Sequence, residues 1–117
     1  MSLPAANTVA HRVAWHLEEG RFAEAFNLLA AAVGTAAVVT DLRLYDSVLH
    51  FRLIPTGPIL FYQVQVRPSL IRPGFAVRMA ATSLDTAAAA MVETSAAREE
   101  LTERLARPLP PIRPPRG

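Results

Sequence analysis

Residues 48–67, which read VLHFRLIPTGPILFYQVQVR, decide the fold. Within them, residues 49–53 and 60–67 alternate between apolar and polar side chains. This period of two is typical of strands that bury one face. Between the two runs, residues 55–58 (PTGP) suit a turn, because proline presets φ and glycine permits a positive φ. The stretch therefore predicts two neighbouring antiparallel strands.

The same alternation predicts one further strand on each side. Residues 38–45 lead into the stretch through a short turn at Asp46-Ser47, and residues 75–80 follow it after a loop with two prolines. Because short connections favour antiparallel neighbours, we predict a four-stranded antiparallel meander. Its apolar face is predicted to contain Val38, Leu42, Leu44, Leu49, Phe51, Leu53, Leu60, Tyr62, Val64, Val66, Phe75, Val77 and Met79.

Residues 7–33 carry apolar side chains at helical spacing. Asn7 or Thr8 can cap the first turn with a side-chain oxygen. Gly20 interrupts the pattern and can adopt the left-handed conformation that ends a helix. We therefore predict an N-terminal helical hairpin that covers the apolar sheet face with Trp15, Phe22, Phe26 and Leu29.

Residues 19–26 (EGRFAEAF) resemble the turn and second-helix start of a tetratricopeptide repeat. A repeat solenoid needs about three stacked copies, and the rest of the chain does not repeat this stretch. The resemblance therefore implies one helical hairpin. We predict no solenoid.

Residues 82–85 (TSLD) form a capping signal, a hydroxyl followed three residues later by a carboxylate. They predict a long alanine-rich helix from about Ser83 to Ala106, with ion pairs Glu100–Arg104 and Glu103–Arg107 at i,i+4 spacing. The apolar side of this helix is narrow and consists of Leu84, Ala88, Met91, Val92, Leu101 and Leu105.

The prediction for the whole chain is an α+β fold with a single domain in residues 1–106 and an extended tail in residues 107–117.

The tail reads RPLPPIRPPRG, and its prolines favour polyproline II over helix. Two overlapping PxxPxR patterns in it resemble ligands of SH3 domains. A solubilising tail, or an arm laid over a neighbouring subunit, is the alternative. The tail residues that would bind a partner are Pro108, Pro111, Arg113, Pro114 and Arg116.

The amino-acid composition excludes several kinds of catalytic and metal-binding site. All 12 basic Lys+Arg residues are arginine, and there is no cysteine, which excludes disulfides, thiolate metal sites, and cysteine- or lysine-dependent catalysis. The formal net charge is +2. Nucleophile-elbow, Walker and dinucleotide-binding patterns are missing. His11 and His16 are five apart, so they do not share a helix face as i,i+4 zinc ligands do. We predict no cofactor and no metal, and we lean against an enzyme.

No apolar run reaches the ~18–20 residues that span a bilayer, and residues 1–6 lack the features of a signal peptide. A cytoplasmic location is therefore the default expectation.

The polar positions of the predicted strands share one side of the sheet. They are Asp41, Arg43, Tyr45, His50, Arg52, Gln63, Gln65, Arg67 and Arg78. A solvated outer face is the plainer interpretation, because antiparallel sheets often have one. A docking surface for an acidic protein or a phosphate backbone is the functional one. Tyr45 and Phe61 are the aromatics available for base stacking.

Three functional hypotheses remain. The first is a non-catalytic protein–protein interaction or assembly subunit that binds a partner, itself, or both. The second is a nucleic-acid-associated protein that uses the arginine-bearing sheet face. The third is a small enzyme or a ligand-binding domain with a pocket between the helices and the sheet. For an enzyme, His50 with Asp41 nearby across the sheet is a generic candidate general base, and no small molecule is indicated. The sheet residues that would bind a partner are Arg43, Tyr45, His50, Arg52, Arg67 and Arg78.

Overall fold

The computed structural model describes residues 8–56, 60–68, 75–83 and 94–109. These residues form an α+β fold, and the predicted helical hairpin and four-stranded antiparallel sheet are confirmed. The elements in chain order are α1 (Val9–Glu18), α2 (Phe22–Val33), a short 3-10 turn (Gly34–Ala36), β1 (Ala37–Tyr45), β2 (Val48–Pro55), β3 (Leu60–Pro68), β4 (Phe75–Ser83) and α3 (Thr94–Leu105).

The helical hairpin forms where the sequence supplies a cap and a break. Thr8 is the N-cap of α1, and its side-chain oxygen accepts a hydrogen bond from the His11 amide at 3.2 Å. Gly20 separates the two helices with φ +76°, a value that costs glycine little and other residues more. The predicted break therefore lies where the chain changes direction.

The sheet order is β1-β2-β3-β4, and all neighbours are antiparallel. β3 and β4 pair without interruption from Leu60–Ser83 to Pro68–Phe75. Asp46 and Ser47 connect β1 to β2 and both have positive φ, 53° and 63°. Two positive values are what a type I′ turn requires, and this turn matches the twist of paired strands.

A β-bulge interrupts β1. The register shifts between Thr40 and Arg43, so Asp41 and Leu42 both lie opposite the single residue Phe51. Asp41 takes φ 54°, in the left-handed region that aspartate tolerates better than most residues. The extra residue reverses the inward and outward positions along the strand.

This reversal corrects one predicted core position. Before the bulge Val39 is buried and Val38 is 55% exposed, whereas after it Leu42 and Leu44 point inward. The assignment of Val38 to the core is therefore wrong. Strict alternation carried through β1 misplaced it because the alternation breaks at Asp41.

All three helices pack on the inward face of the sheet, and the core lies between these two layers. Burying a side chain such as Phe51 stabilises the fold by about 2 kcal/mol. The prediction for Phe22 is wrong, because its side chain is 54% exposed and stacks on Phe26 at the rim of the hairpin. The most deeply buried side chains are Leu29, Leu49, Leu105, Val9, Val13, Val64 and Val66.

The predicted C-terminal helix is corrected at its start. Thr82 and Ser83 are the last residues of β4 and pair with β3, so the helix does not begin at Ser83. Helix α3 covers Thr94–Leu105, and its predicted contacts Leu101 and Leu105 are buried. The other predicted apolar residues of this helix, Leu84, Ala88, Met91 and Val92, lie outside the described residues.

Arg104 connects α3 to α2. Its Nη1 donates a hydrogen bond to the Ala32 carbonyl at 3.1 Å, in the last turn of α2, and its Nη2 lies 3.2 Å from Glu100 Oε1. The predicted Glu100–Arg104 pair is thus present. The ion pairs of the described residues do not include Glu103–Arg107, and Arg107 lies beyond the end of α3 at Leu105. A cation at a helix C-terminus also interacts favourably with the helix dipole.

Candidate interaction surface

The sheet has a second face, turned away from the helices, which we call the outer face. Side chains alternate between the two faces of a strand. Each outer-face side chain is therefore flanked along its strand by residues that point to the core. The outer face is formed by Val38, Thr40, Arg43, Tyr45, His50, Arg52, Ile54, Phe61, Gln63, Gln65, Arg67, Ala76, Arg78 and Ala80, with bulged Asp41 beside Arg52.

One row of polar residues crosses all four strands. Arg43 pairs with His50, His50 with Gln65, and Gln65 with Arg78. We call these four residues the cationic row. Since neighbouring strands lie about 4.8 Å apart, the backbones of Arg43 and Arg78 are separated by about 14 Å. The row thus presents a guanidinium at each edge of the sheet, with two hydrogen-bonding side chains between them.

The charge of the outer face is unbalanced. Asp41 is the only acidic residue in the four strands, and it pairs with Arg52 at 3.1 Å. Within the described part of the chain, no carboxylate pairs with Arg43, Arg67 or Arg78. Nη1 of Arg43 donates a hydrogen bond to the Asp41 carbonyl at 3.3 Å. Among the described residues, three guanidiniums of the outer face thus have no carboxylate partner.

The aromatic residues of the outer face differ in availability. The guanidinium of Arg52 lies over the ring of Phe61, 5.2 Å from its centroid, an arrangement that favours a cation–π interaction. Tyr45 is 71% exposed, and its ring lies 6.4 Å from that of His50. Tyr45 is thus the more available aromatic surface beside the cationic row.

Val38 and Ile54 are direct cross-strand partners, at the end of the sheet away from the β1–β2 turn. Their exposed fractions are 55% and 39%, and we call them the aliphatic pair. Sequence reasoning missed this feature because it placed Val38 in the core. His50, Arg52 and Ile54 occupy alternate positions on β2, so the alternation predicts that Ile54 points outward with the other two. This pattern could have identified the exposure of Ile54 from the sequence.

The structure brings all six predicted sheet residues to the outer face. The predicted tail residue Pro108 is exposed and forms an isolated antiparallel bridge with Thr8, while the Val9 amide donates to the Arg107 carbonyl at 3.1 Å. The remaining tail residues, Pro111, Arg113, Pro114 and Arg116, lie outside the described residues, so their role stays a prediction.

The hypothesised general-base pair does not form. The Asp41 carboxylate pairs with Arg52, and the ring partner of His50 is Tyr45. Among the described residues, no three His, Cys, Asp or Glu side chains cluster as metal ligands would. His16 lies on the helical hairpin, 3.5 Å from Glu24, and burial lowers its pKa below 6.5, with Glu24 opposing and Arg12 and Arg21 adding to the shift.

A small cleft lies between α3 and the inward face of the sheet. Its volume is about 220 Å³, and its lining is mostly apolar, with Glu100 and Arg104 as charged residues. These two side chains already pair with each other, and Arg104 also caps α2. The cleft therefore offers few unused polar groups to orient a ligand.

No family model, curated protein or solved structure matches the chain. None of the helices in the described part of the chain combines the length and apolar character needed to cross a bilayer.

Proposed function

We propose that the chain is a non-catalytic interaction or assembly subunit that binds a partner protein through the outer face of its sheet. The observation that carries this proposal is that guanidiniums without carboxylate partners among the described residues share one face of the sheet with exposed apolar side chains. Arg43, Arg67 and Arg78 lack carboxylate partners among the described residues, and the aliphatic pair is exposed on the same face.

The kinds of residue on this face support the proposal. Arginine and tyrosine are enriched among the residues that dominate binding energy at protein interfaces. Tyr45 presents a large surface with few rotatable bonds, and the aliphatic pair adds apolar area that a partner can cover. Scattered exposed apolar residues are ordinary, but Val38 and Ile54 are adjacent across two strands.

The charge of the outer face favours a different protein over a second copy stacked face to face. A two-fold contact through this face would bring guanidiniums of the two copies together, and like charges at an interface oppose association. Self-association through another surface remains part of the proposal. Light scattering tests self-association, since a solution mass that is a multiple of 12.7 kDa indicates self-assembly, whereas a mass of 12.7 kDa leaves a foreign partner as the proposal.

A nucleic-acid-associated protein is the second candidate, and the exposure of Tyr45 favours it. Single-stranded nucleic acids bind positively charged surfaces and stack bases on aromatic rings. Their affinity falls steeply with salt, in proportion to the phosphates contacted. Binding of a labelled oligouridylate at two salt concentrations tests this candidate directly.

Affinity capture with two charge-matched variants tests the leading proposal. The first variant combines Arg43→Glu with Arg78→Glu on the outer face. The second combines Arg98→Glu with Arg107→Glu, two exposed arginines away from the sheet, so both variants have the same net charge. We expect the wild type and the second variant to retain the same proteins from a native lysate and the first to lose them. Equal capture by both variants would refute the proposal.

A further inference from the structure

We infer that the segment recognised by the outer face is an acidic peptide stretch with an aliphatic anchor. Its carboxylates would contact the cationic row, and its aliphatic side chain would cover Val38 and Ile54. The inference depends on the proposed function, since it names the chemistry of the partner at the same surface.

The charges of the outer face determine the sign of the charge that a partner would carry. The Asp41 carboxylate pairs with Arg52 at 3.1 Å. Arg43, Arg67 and Arg78 have no carboxylate partner among the described residues. Arginine presents a planar array of donors that matches a carboxylate in two parallel hydrogen bonds. Gln65 and His50, between the arginines of the row, add neutral hydrogen-bonding capacity. A segment with several carboxylates therefore complements the row.

The spacing on the sheet determines where the aliphatic anchor lies. His50, in the cationic row, and Ile54, in the aliphatic pair, are four residues apart on β2. A strand rises about 3.3 Å per residue, so the two positions are about 13 Å apart. A segment whose carboxylates follow the row across the strands, and which then turns along β1 and β2, would thus carry its aliphatic residue about four positions beyond its last carboxylate.

The aliphatic pair also favours a protein segment over a polynucleotide. Apolar side chains without an aromatic face offer little to a base or a phosphate, but they bury area against a leucine or valine of a partner. Phe61, which could stack a base, is covered on one side by Arg52. One well-exposed ring, Tyr45, is a poor platform for successive bases.

The test is fluorescence anisotropy with a labelled synthetic peptide and the full chain. The peptide carries three alternating glutamates, which span the row, and, four positions beyond the last one, two leucines. One control peptide replaces every glutamate by glutamine, a second replaces both leucines by serine, and an oligouridylate of similar length is the nucleic-acid probe. Each is measured at low and at physiological salt, because exposed charge pairs weaken with ionic strength.

We expect the acidic peptide to bind at least tenfold more tightly than the glutamine peptide and several-fold more tightly than the serine peptide. The double variant Arg43→Gln/Arg78→Gln should lose at least tenfold in affinity, and Val38→Thr/Ile54→Thr should lose the preference for leucine. The matched double variant Arg98→Gln/Arg107→Gln should bind as the wild type does. All substituted positions are exposed, and thermal unfolding checks that each variant is folded.

Three results would overturn the inference: equal binding of the acidic and glutamine peptides, no binding of either, or tighter binding of the oligouridylate that is lost with Arg43 and Arg78. These results are separable from a failure of the proposed function. If lysate capture still depends on Arg43 and Arg78, the outer face is the docking surface and only the partner chemistry is wrong. If capture is independent of them, the proposed function fails.

Discussion

Phe51 and Arg52 are adjacent in sequence and lie on opposite faces of β2. Phe51 is 2% exposed in the core, whereas Arg52 lies on the outer face beside Asp41. Phe51→Asp should lower the free energy of unfolding by more than about 4 kcal/mol, because it removes buried apolar surface and buries a carboxylate. Arg52→Asp should cost less than about 1 kcal/mol, since its ion pair is half exposed. Urea unfolding measures both, and similar losses would contradict the strand phase.

Ser47 has φ 63° in the turn between β1 and β2. A side chain at this φ costs about 1–2 kcal/mol, and glycine avoids the cost while losing more entropy on folding. Ser47→Gly should therefore raise the free energy of unfolding by about 0.5–1 kcal/mol, and Ser47→Ala should give no such gain. Chemical denaturation of the three proteins provides the comparison. A loss of stability in the glycine variant would argue against a type I′ turn.

His16 gives the fold a dependence on pH. Burial lowers its pKa in the folded state below the ordinary 6.5, against the opposing effect of Glu24. The unfolded chain therefore binds this proton more readily, and stability falls as pH decreases from about 6.5 towards the lowered pKa. Unfolding free energies of wild type and His16→Gln at pH 7.5 and 5.5 test this. The variant should lose less stability on acidification, and an identical loss in both proteins would contradict it.

At the scale of single residues, sequence reasoning succeeded where alternation was regular and failed at the bulge. Leu49, Phe51, Val64 and Val66 are buried as predicted. Val38 is not, because Asp41 takes a positive φ that period-two reasoning does not foresee. Nothing in the pattern distinguishes an aspartate at a bulge from one on a polar strand face.

At the scale of elements, Arg104 holds α3 against the end of α2. Its guanidinium contacts the Ala32 carbonyl and Glu100, and its side chain is partly exposed. Arg104→Met keeps the apolar stem and removes these contacts, so it should lower the free energy of unfolding by about 1 kcal/mol. Arg98→Met, on the same helix and exposed, is the control and should change stability little. Equal effects of the two substitutions in thermal unfolding would remove this role from Arg104.

The elements themselves were largely predictable because their signals are local. Thr8 and Gly20 mark the helical hairpin, and the turn residues mark the strand ends. The start of the C-terminal helix was misplaced because the hydroxyl residues Thr82 and Ser83 form a capping signal but pair with β3 instead. A local propensity was overridden by non-local strand pairing, which the sequence of one segment does not reveal.

At the scale of the whole molecule, the two faces of the sheet differ in composition. One face joins the helices in the core, and the other presents arginines without carboxylate partners among the described residues, together with the aliphatic pair at its far end. The basic part of this outer face was predicted from strand phase, because Arg43, His50, Arg52, Arg67 and Arg78 share one side under alternation. The cross-strand order of the cationic row and the exposure of Val38 required the register, which only the folded chain supplies.

The most direct test of the central claim is site-specific photo-crosslinking in cells that produce the chain. A photoreactive phenylalanine derivative replaces Gln65 in the cationic row in one protein and the exposed Asn27 of α2 in the other. If the outer face is the docking surface, illumination links a second protein to the Gln65 position and leaves the Asn27 position unlinked. A crosslink from Asn27 alone would contradict the claim, as would the absence of any crosslink from Gln65.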